Sequence, residues 1–360
     1  MNHITGKRHY ATIIYILLIS YFIFLVTTGL GILQYGSTKN LDFLKNKYEE
    51  IEGKYNYLIS NMFVGNIEEN NREILYLDEM RSEILDSVDK EGEFWKVELK
   101  NIILQKEELL LKSSFDRDTN YLRLKNETDE YNLYYSLGKK PLDYLDGFFI
   151  RYFLFLFNSL GHQIFLTCTV LGICYLYISD TKYIGFFKTI GIICVPLLCI
   201  QIFSLIFCIA LDSKIDIFYP VRVVGDFNIY NFNNNLSTIN NVLPLYIVIL
   251  KVLLLEGLYI VFIVSFIKII DLVFVRYCMK IMGILVFLFS MFGMLYTRYS
   301  SISFLSYGKF LDIVRGYEAI YRGDTYLNIK FLSIFIFFVL VILGFIYFLK
   351  KYFLNDEYVS

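Results

Sequence analysis

The sequence predicts an all-α polytopic membrane protein with six transmembrane helices and a helical extracellular domain between helices one and two. Three observations predict it. The 360-residue chain is 56% hydrophobic and 18% aromatic, with a mean hydropathy of +0.50, whereas a soluble domain runs at ~45–50% apolar. The apolar residues fall into six long runs, and most of the charge is gathered into a single block, residues 37–147.

The runs are 11–33, 152–178, 189–211, 243–267, 281–297 and 331–349. Crossing a bilayer takes ~20 mostly apolar residues, because the hydrocarbon layer is ~30 Å thick and a helix rises ~1.5 Å per residue. Backbone polar groups in lipid must be satisfied within the segment, so each run is expected as a helix. The fifth run is the shortest and borrows residues from the preceding LVFVRYCMK. The first is too long for the core of a signal peptide and lacks a small-residue cleavage site after it, so it reads as a retained anchor.

The formal charge of −1 conceals a division. Residues 37–147 hold 16 Lys/Arg against 24 Asp/Glu, a balance of −8, and the rest of the chain holds 18 against 11, a balance of +7. A nucleic-acid partner would want a basic domain, and no segment provides one. The six cysteines (Cys168, Cys174, Cys194, Cys199, Cys208 and Cys278) all lie in or beside the apolar runs. They read as small packing residues, with no metal site and no disulfide framework.

Short loops rich in Lys and Arg stay on the cytoplasmic side. Placing both termini inside puts Lys7, Arg8, Lys182, Lys188, Lys268, Arg276, Lys280, Lys350 and Lys351 at the inner face, in loops shorter and more densely charged than the outer ones. The expected layout is a cytoplasmic N-terminus (1–10), helix one (11–33), an extracellular helical domain (34–148), a five-helix transmembrane domain (149–350) and a cytoplasmic tail (351–360). The expected location is a plasma membrane.

Within the outer block, Leu41, Leu44, Tyr48, Ile51, Tyr55, Leu58 and Met62 alternate spacings of three and four, an a/d seam over three heptads. A second series runs through Ile67, Ile74, Leu77, Ile84 and Val88. No proline precedes Pro141, so a set of antiparallel helices broken near Gly65 and Gly92 is expected. The block serves either as a structural shield or as a substrate contact.

Few residues carry chemistry. GILQYGST, from Gly31 to Thr38, has glycines five apart but no lysine to reach terminal phosphates, so it is not a nucleotide loop. Only His3, His9 and His162 occur, and His162 faces no obvious partner in the sequence. No catalytic residue is assigned. Lys251 and Glu256, in LKVLLLEGLY, stand inside a spanning run, where a charge costs roughly 2.5–3.5 kcal/mol and faces a partner or a water-filled path. Five residues apart on a helix places them ~140° apart, so they do not pair with each other. Lys251 can snorkel to the surface and Glu256 cannot. Either a transport path or a hydrogen bond to a neighbouring helix accounts for Glu256.

The segment ISDTKYIGFFK (178–188) interrupts the apolar chain for about ten residues, and its aromatics face the cytosol. With Asp180 preceding Gly185 by five, it resembles the first inner loop of the membrane permeases of ABC type-2 exporters from low-GC Gram-positive bacteria. GEFWKVELKN (92–101) resembles that family's Gly-Asp-Trp-Lys stretch, with Glu93-Phe94 in place of the single Asp. Lys140-Pro141 resembles its return toward the membrane. SFLSYGKFLDIVRGYEAIYRG (303–323) resembles the segment before its last span, with Ser-Ile-Ser where the family often has Asn-Pro.

The resemblance implies a permease driven by a separate ATPase and exporting an amphiphilic peptide, drug or lipid-like substrate, an antimicrobial-peptide role included. In the family this inner loop docks into the ATPase. Here Tyr183, Ile184, Phe186 and Phe187 would supply apolar knobs around Gly185, and Asp180, Lys182 and Lys188 the polar rim. Segment 301–329 would lie as an amphipathic pair at the outer leaflet. The chain itself would bind no cofactor; ATP and Mg would sit on two ATPase subunits, and a second copy or a related permease would complete the path in the lipid. The alternatives are a non-transporting scaffold or sensor whose acidic outer domain binds an envelope partner, and an intramembrane enzyme built on Glu256 and His162.

Overall fold

A computed structural model describes residues 2–35, 42–61, 67–86, 93–112, 119–145, 147–180, 186–211, 216–224, 240–273, 283–284, 309–317, 341–342 and 344. The chain divides into two compact units, one of Met1–Gly36 with Gly147–Ser360, the other Ser37–Asp146. Helix dominates both.

The Ser37–Asp146 unit contains α2 (Phe43–Ser60), α3 (Ile67–Asp86), α4 (Phe94–Lys112) and α5 (Thr119–Ser136), followed by a short 3-10 turn at Leu142–Tyr144. The heptad seam predicts the buried face of α2: Ile51 is buried, and Tyr48, Tyr55 and Leu58 pack around it against Leu77, Met80 and Ile84 of α3. A second apolar cluster joins Leu99 and Ile103 of α4 to Tyr131 of α5, with Trp95, Ile102 and Tyr144 against it. α2 ends at Ser60 and α3 starts at Ile67, and α3 ends at Asp86 and α4 starts at Phe94; Gly65 and Gly92, where the sequence predicts the breaks, lie outside the described residues. Lys106 of α4 donates to Glu127 of α5 at 2.6 Å, and Arg123 donates to the same carboxylate at 3.1 Å. After α5, Gly138 takes a left-handed φ of +61° and the chain returns so that Lys140 lies 3.5 Å from Asp42, at the start of α2. Lys140-Pro141, one of the stretches on which the resemblance rests, therefore closes this unit on itself.

The other unit holds α1 (Asn2–Tyr35), α6 (Phe148–Asn158), α7 (Leu160–Asp180), α8 (Phe186–Leu211), α9 (Leu245–Val273) and a short α10 (Phe310–Val314). Among the described residues, three helical segments are long and apolar enough to cross a membrane, Thr12–Gln34, Ile190–Leu211 and Leu245–Asp271. They match the first, third and fourth predicted runs. In α1, Tyr21, Leu25 and Gly29 form the buried stripe, while Ile13, Ile16, Ile19, Phe22, Ile23, Val26 and Leu30 are exposed. A stripe at spacings of four with an apolar outer surface is what a helix at the edge of a lipid-embedded bundle requires.

The second predicted run, 152–178, is not one straight helix. α6 and α7 meet at an angle of 58°, a span only if the bent pair is counted as one. The break is at Ser159, whose backbone is extended (φ −79°, ψ 127°) and whose Oγ accepts from the Gly161 N–H at 3.2 Å. That local turn competes with helix continuation, and the Asn-Ser-Leu-Gly sequence favours it. The runs at 281–297 and 331–349 lie almost wholly outside the described residues.

The all-α expectation also needs correction. β1 (Pro220–Val224) and β2 (Asn240–Pro244) form an antiparallel ribbon in which Val221 pairs with Leu243 and Arg222 with Val242. Pro220 and Pro244 face each other at its end, where a missing N–H costs little. β2 runs directly into α9. The Val224 N–H donates to the Arg315 carbonyl at 2.9 Å, which ties the ribbon to the end of α10. Gly316 follows at φ +76°, and a Cβ there would come within 3.0 Å of the Val224 carbonyl oxygen, so glycine is required. Of the expected amphipathic segment 301–329, residues 309–317 are described; Phe310, Leu311, Ile313 and Val314 are all buried, packed with α6 and α9, instead of lying along a surface.

Candidate functional site

The spanning helices bring together polar side chains that lie far apart in sequence. Tyr21 of α1, His162 of α7, Gln201 of α8 and Glu256 of α9 are each fully buried. The Tyr21 hydroxyl and His162 Nε2 are 2.8 Å apart. Gln201 Nε2 donates to the Tyr21 oxygen at 2.5 Å and to Glu256 Oε1, and lies 3.5 Å from His162 Nε2. One amide thus links four helices.

The contacts continue along the bundle. Ser204 Oγ donates to the Gln201 carbonyl at 2.8 Å, and the Tyr152 hydroxyl of α6 donates to Ser204 Oγ at 3.2 Å. Thr167 of α7 bonds the Tyr259 hydroxyl of α9 at 3.0 Å, and the Tyr259 ring meets Phe310 edge-on. Close backbone approach lets short side chains reach. Gly172 of α7 leaves room for Leu17 of α1, and Cys194 of α8 lies 3.8 Å from the Gly257 carbonyl beside Glu256.

Among the described residues, Glu256 Oε2 and Gln201 Oε1 are buried with no hydrogen-bond partner. Buried polar atoms are nearly always satisfied, so a pair of them on two side chains already bonded to each other calls for a cause. The only side chains bonded to His162 among the described residues are Tyr21 and Gln201. Neither is the Ser or Cys nucleophile that hydrolytic chemistry uses. The cluster can join helices and hold a proton. No group of three or more His, Cys, Asp or Glu among the described residues is placed to hold a metal ion.

The sequence singled out Glu256 and Lys251 together, and the structure separates them. Glu256 is at the centre of the cluster, while Lys251 is partly buried and makes none of its hydrogen bonds. His162, read from sequence as having no obvious partner, does have partners. Tyr21 and Gln201 were missed. The available signal was an amide and a phenol within otherwise apolar, uncharged spans, each needing a partner in lipid. Of the predicted docking loop, Asp180 ends α7 and Phe186, Phe187 and Lys188 begin α8. Lys182, Tyr183, Ile184 and Gly185 lie outside the described residues.

In comparisons with protein families, characterised proteins and solved structures, no match to the chain was found. The sequence and the fold define a mostly helical chain with the make-up of a multi-pass membrane protein.

Proposed function

We propose that the chain is the membrane-spanning permease subunit of an ABC exporter, worked by a separate ATPase and moving an amphiphilic peptide, drug or lipid-like substrate out of the cell. The observation that carries this reading is the order of parts. A spanning helix comes first, then the self-contained helical unit Ser37–Asp146, then the remaining spanning helices. An extracytoplasmic insertion after helix one, followed by a bundle with a short inner loop at 178–188, is the layout on which the resemblance rests. The polar cluster adds support, because a carboxyl kept inside a lipid-embedded bundle carries a cost that a working bundle has reason to bear. On this reading the ATPase engages Asp180, Lys182, Tyr183, Ile184, Gly185, Phe186, Phe187 and Lys188, and a second permease completes the path.

The test is purification of the tagged chain from its native membranes in mild detergent, with partners identified by mass spectrometry. A stoichiometric ATP-binding subunit is expected. A monodisperse preparation without any ATPase overturns the reading, and an envelope protein in its place would assign the chain as a scaffold or sensor.

A further inference from the structure

The two orphaned oxygens of the membrane cluster share one explanation. Gln201 Nε2 already donates to Glu256 Oε1, so the amide and the carboxyl lie against each other, and the atoms left over are Gln201 Oε1 and Glu256 Oε2. Both are acceptors when the carboxyl is ionised. They cannot bond each other in that state, and each would stay buried and unsatisfied. A single proton on Oε2 would convert that oxygen into a donor, and an acid–amide pair closed by two hydrogen bonds would then leave neither atom orphaned.

The surroundings favour the neutral form. Among the described residues, the titratable groups facing Glu256 are Tyr21 from α1, His162 from α7, Cys194 from α8 and Tyr259 from its own helix. His162 is engaged with Tyr21 and Gln201, and no ion pair reaches Glu256 among the described residues. An ionised carboxylate without a countercharge in a buried, apolar interior costs far more than a protonated one. A dehydrated metal cation is a poorer occupant, since a hard cation takes six or more oxygen ligands and the neighbours here are chiefly donors.

We infer that Glu256 is a proton-binding site of the membrane bundle, holding a proton on Oε2 that it donates to Gln201 Oε1 and so locking α8 to α9. Losing that proton leaves an anion facing an amide oxygen, and the α8–α9 contact then opens to admit water or a cation. The site therefore links protonation to the packing of the helices, independently of what the bundle transports.

The full chain in lipid nanodiscs, examined by infrared spectroscopy at neutral pH, tests this. The expected result is a carbonyl stretch of a protonated carboxylic acid in the wild type that disappears in Glu256→Gln. The same spectrum in both proteins overturns the inference. Should Glu256→Gln not accumulate, Gln201→Met replaces it: the band shifts to higher frequency when the acid loses its amide acceptor, and an unmoved band is contrary. Replacing choline by sodium or lithium leaves the band intact; its loss would assign a metal cation in place of the proton.

Discussion

Gln201 shows how much one side chain can decide in a lipid-embedded bundle. Its amide touches partners from three other helices, so removing it affects every one of them. Gln201→Leu leaves the Glu256 carboxyl without its donor, and an unsatisfied buried polar group costs about 1–3 kcal/mol. Tyr21→Phe removes one hydroxyl and keeps the ring, and single interhelical hydrogen bonds in membranes contribute only about 0.6 kcal/mol on average. Thermal unfolding in detergent should therefore rank Gln201→Leu well below Tyr21→Phe; equal losses would mean that the amide is not the hub. Gly316 makes a separate residue-scale prediction. With φ at +76° and the Val224 carbonyl where a Cβ would go, Gly316→Ala should cost about 1–3 kcal/mol by the same measurement.

At the scale of elements, the Ser37–Asp146 unit carries its own cores and its own charge pairing. Burial pushes the Glu127 carboxyl upward, but Lys106 and Arg123 pull it down further, and it ends below the usual carboxylate range. A carboxylate with a lowered native value stabilises above its unfolded value and loses that contribution as pH falls through the native one. An isolated fragment of residues 37–146 should be helical by circular dichroism. Glu127→Gln in it should cost about 1 kcal/mol at neutral pH and flatten the acid limb of its stability curve. The helices of this unit were legible because Tyr48, Ile51, Tyr55 and Leu58 repeat at heptad spacing on a polar background. The bend at Ser159 was hidden because Asn158, Ser159 and Gly161 are uncharged and pass unnoticed within an apolar run. The ribbon was missed because its strands are five residues each and the partners are separated by 225–239, so no local period marks them.

At the scale of the whole molecule, spanning potential was readable from composition alone, and among the described residues three of the six predicted runs recur as helices fit to cross a membrane. The polar cluster was half legible. A charge in a spanning run announces itself, which is why Glu256 stood out, but its partners come from positions 21, 162 and 201, and only packing brings them together. Lys251 has the same chemistry of concern but is only partly buried and makes none of the cluster's hydrogen bonds; a long flexible stem can carry such an ammonium to a surface. Function at this scale rests on whether a motor engages the chain from one side. Segment 178–188 is the place to ask, because on the proposed layout its aromatics would face the cytosol and need a partner or a lipid surface.

The most direct measurement is site-specific photo-crosslinking in native membranes from a photoreactive residue placed at position 186 or 187. A covalent adduct with an ATP-binding subunit is the expected result, lost when its neighbours in the loop are made acidic in a chain that still inserts. Adducts with lipid alone, from a chain that inserts normally, would contradict the assignment of this chain as an ATPase-driven permease.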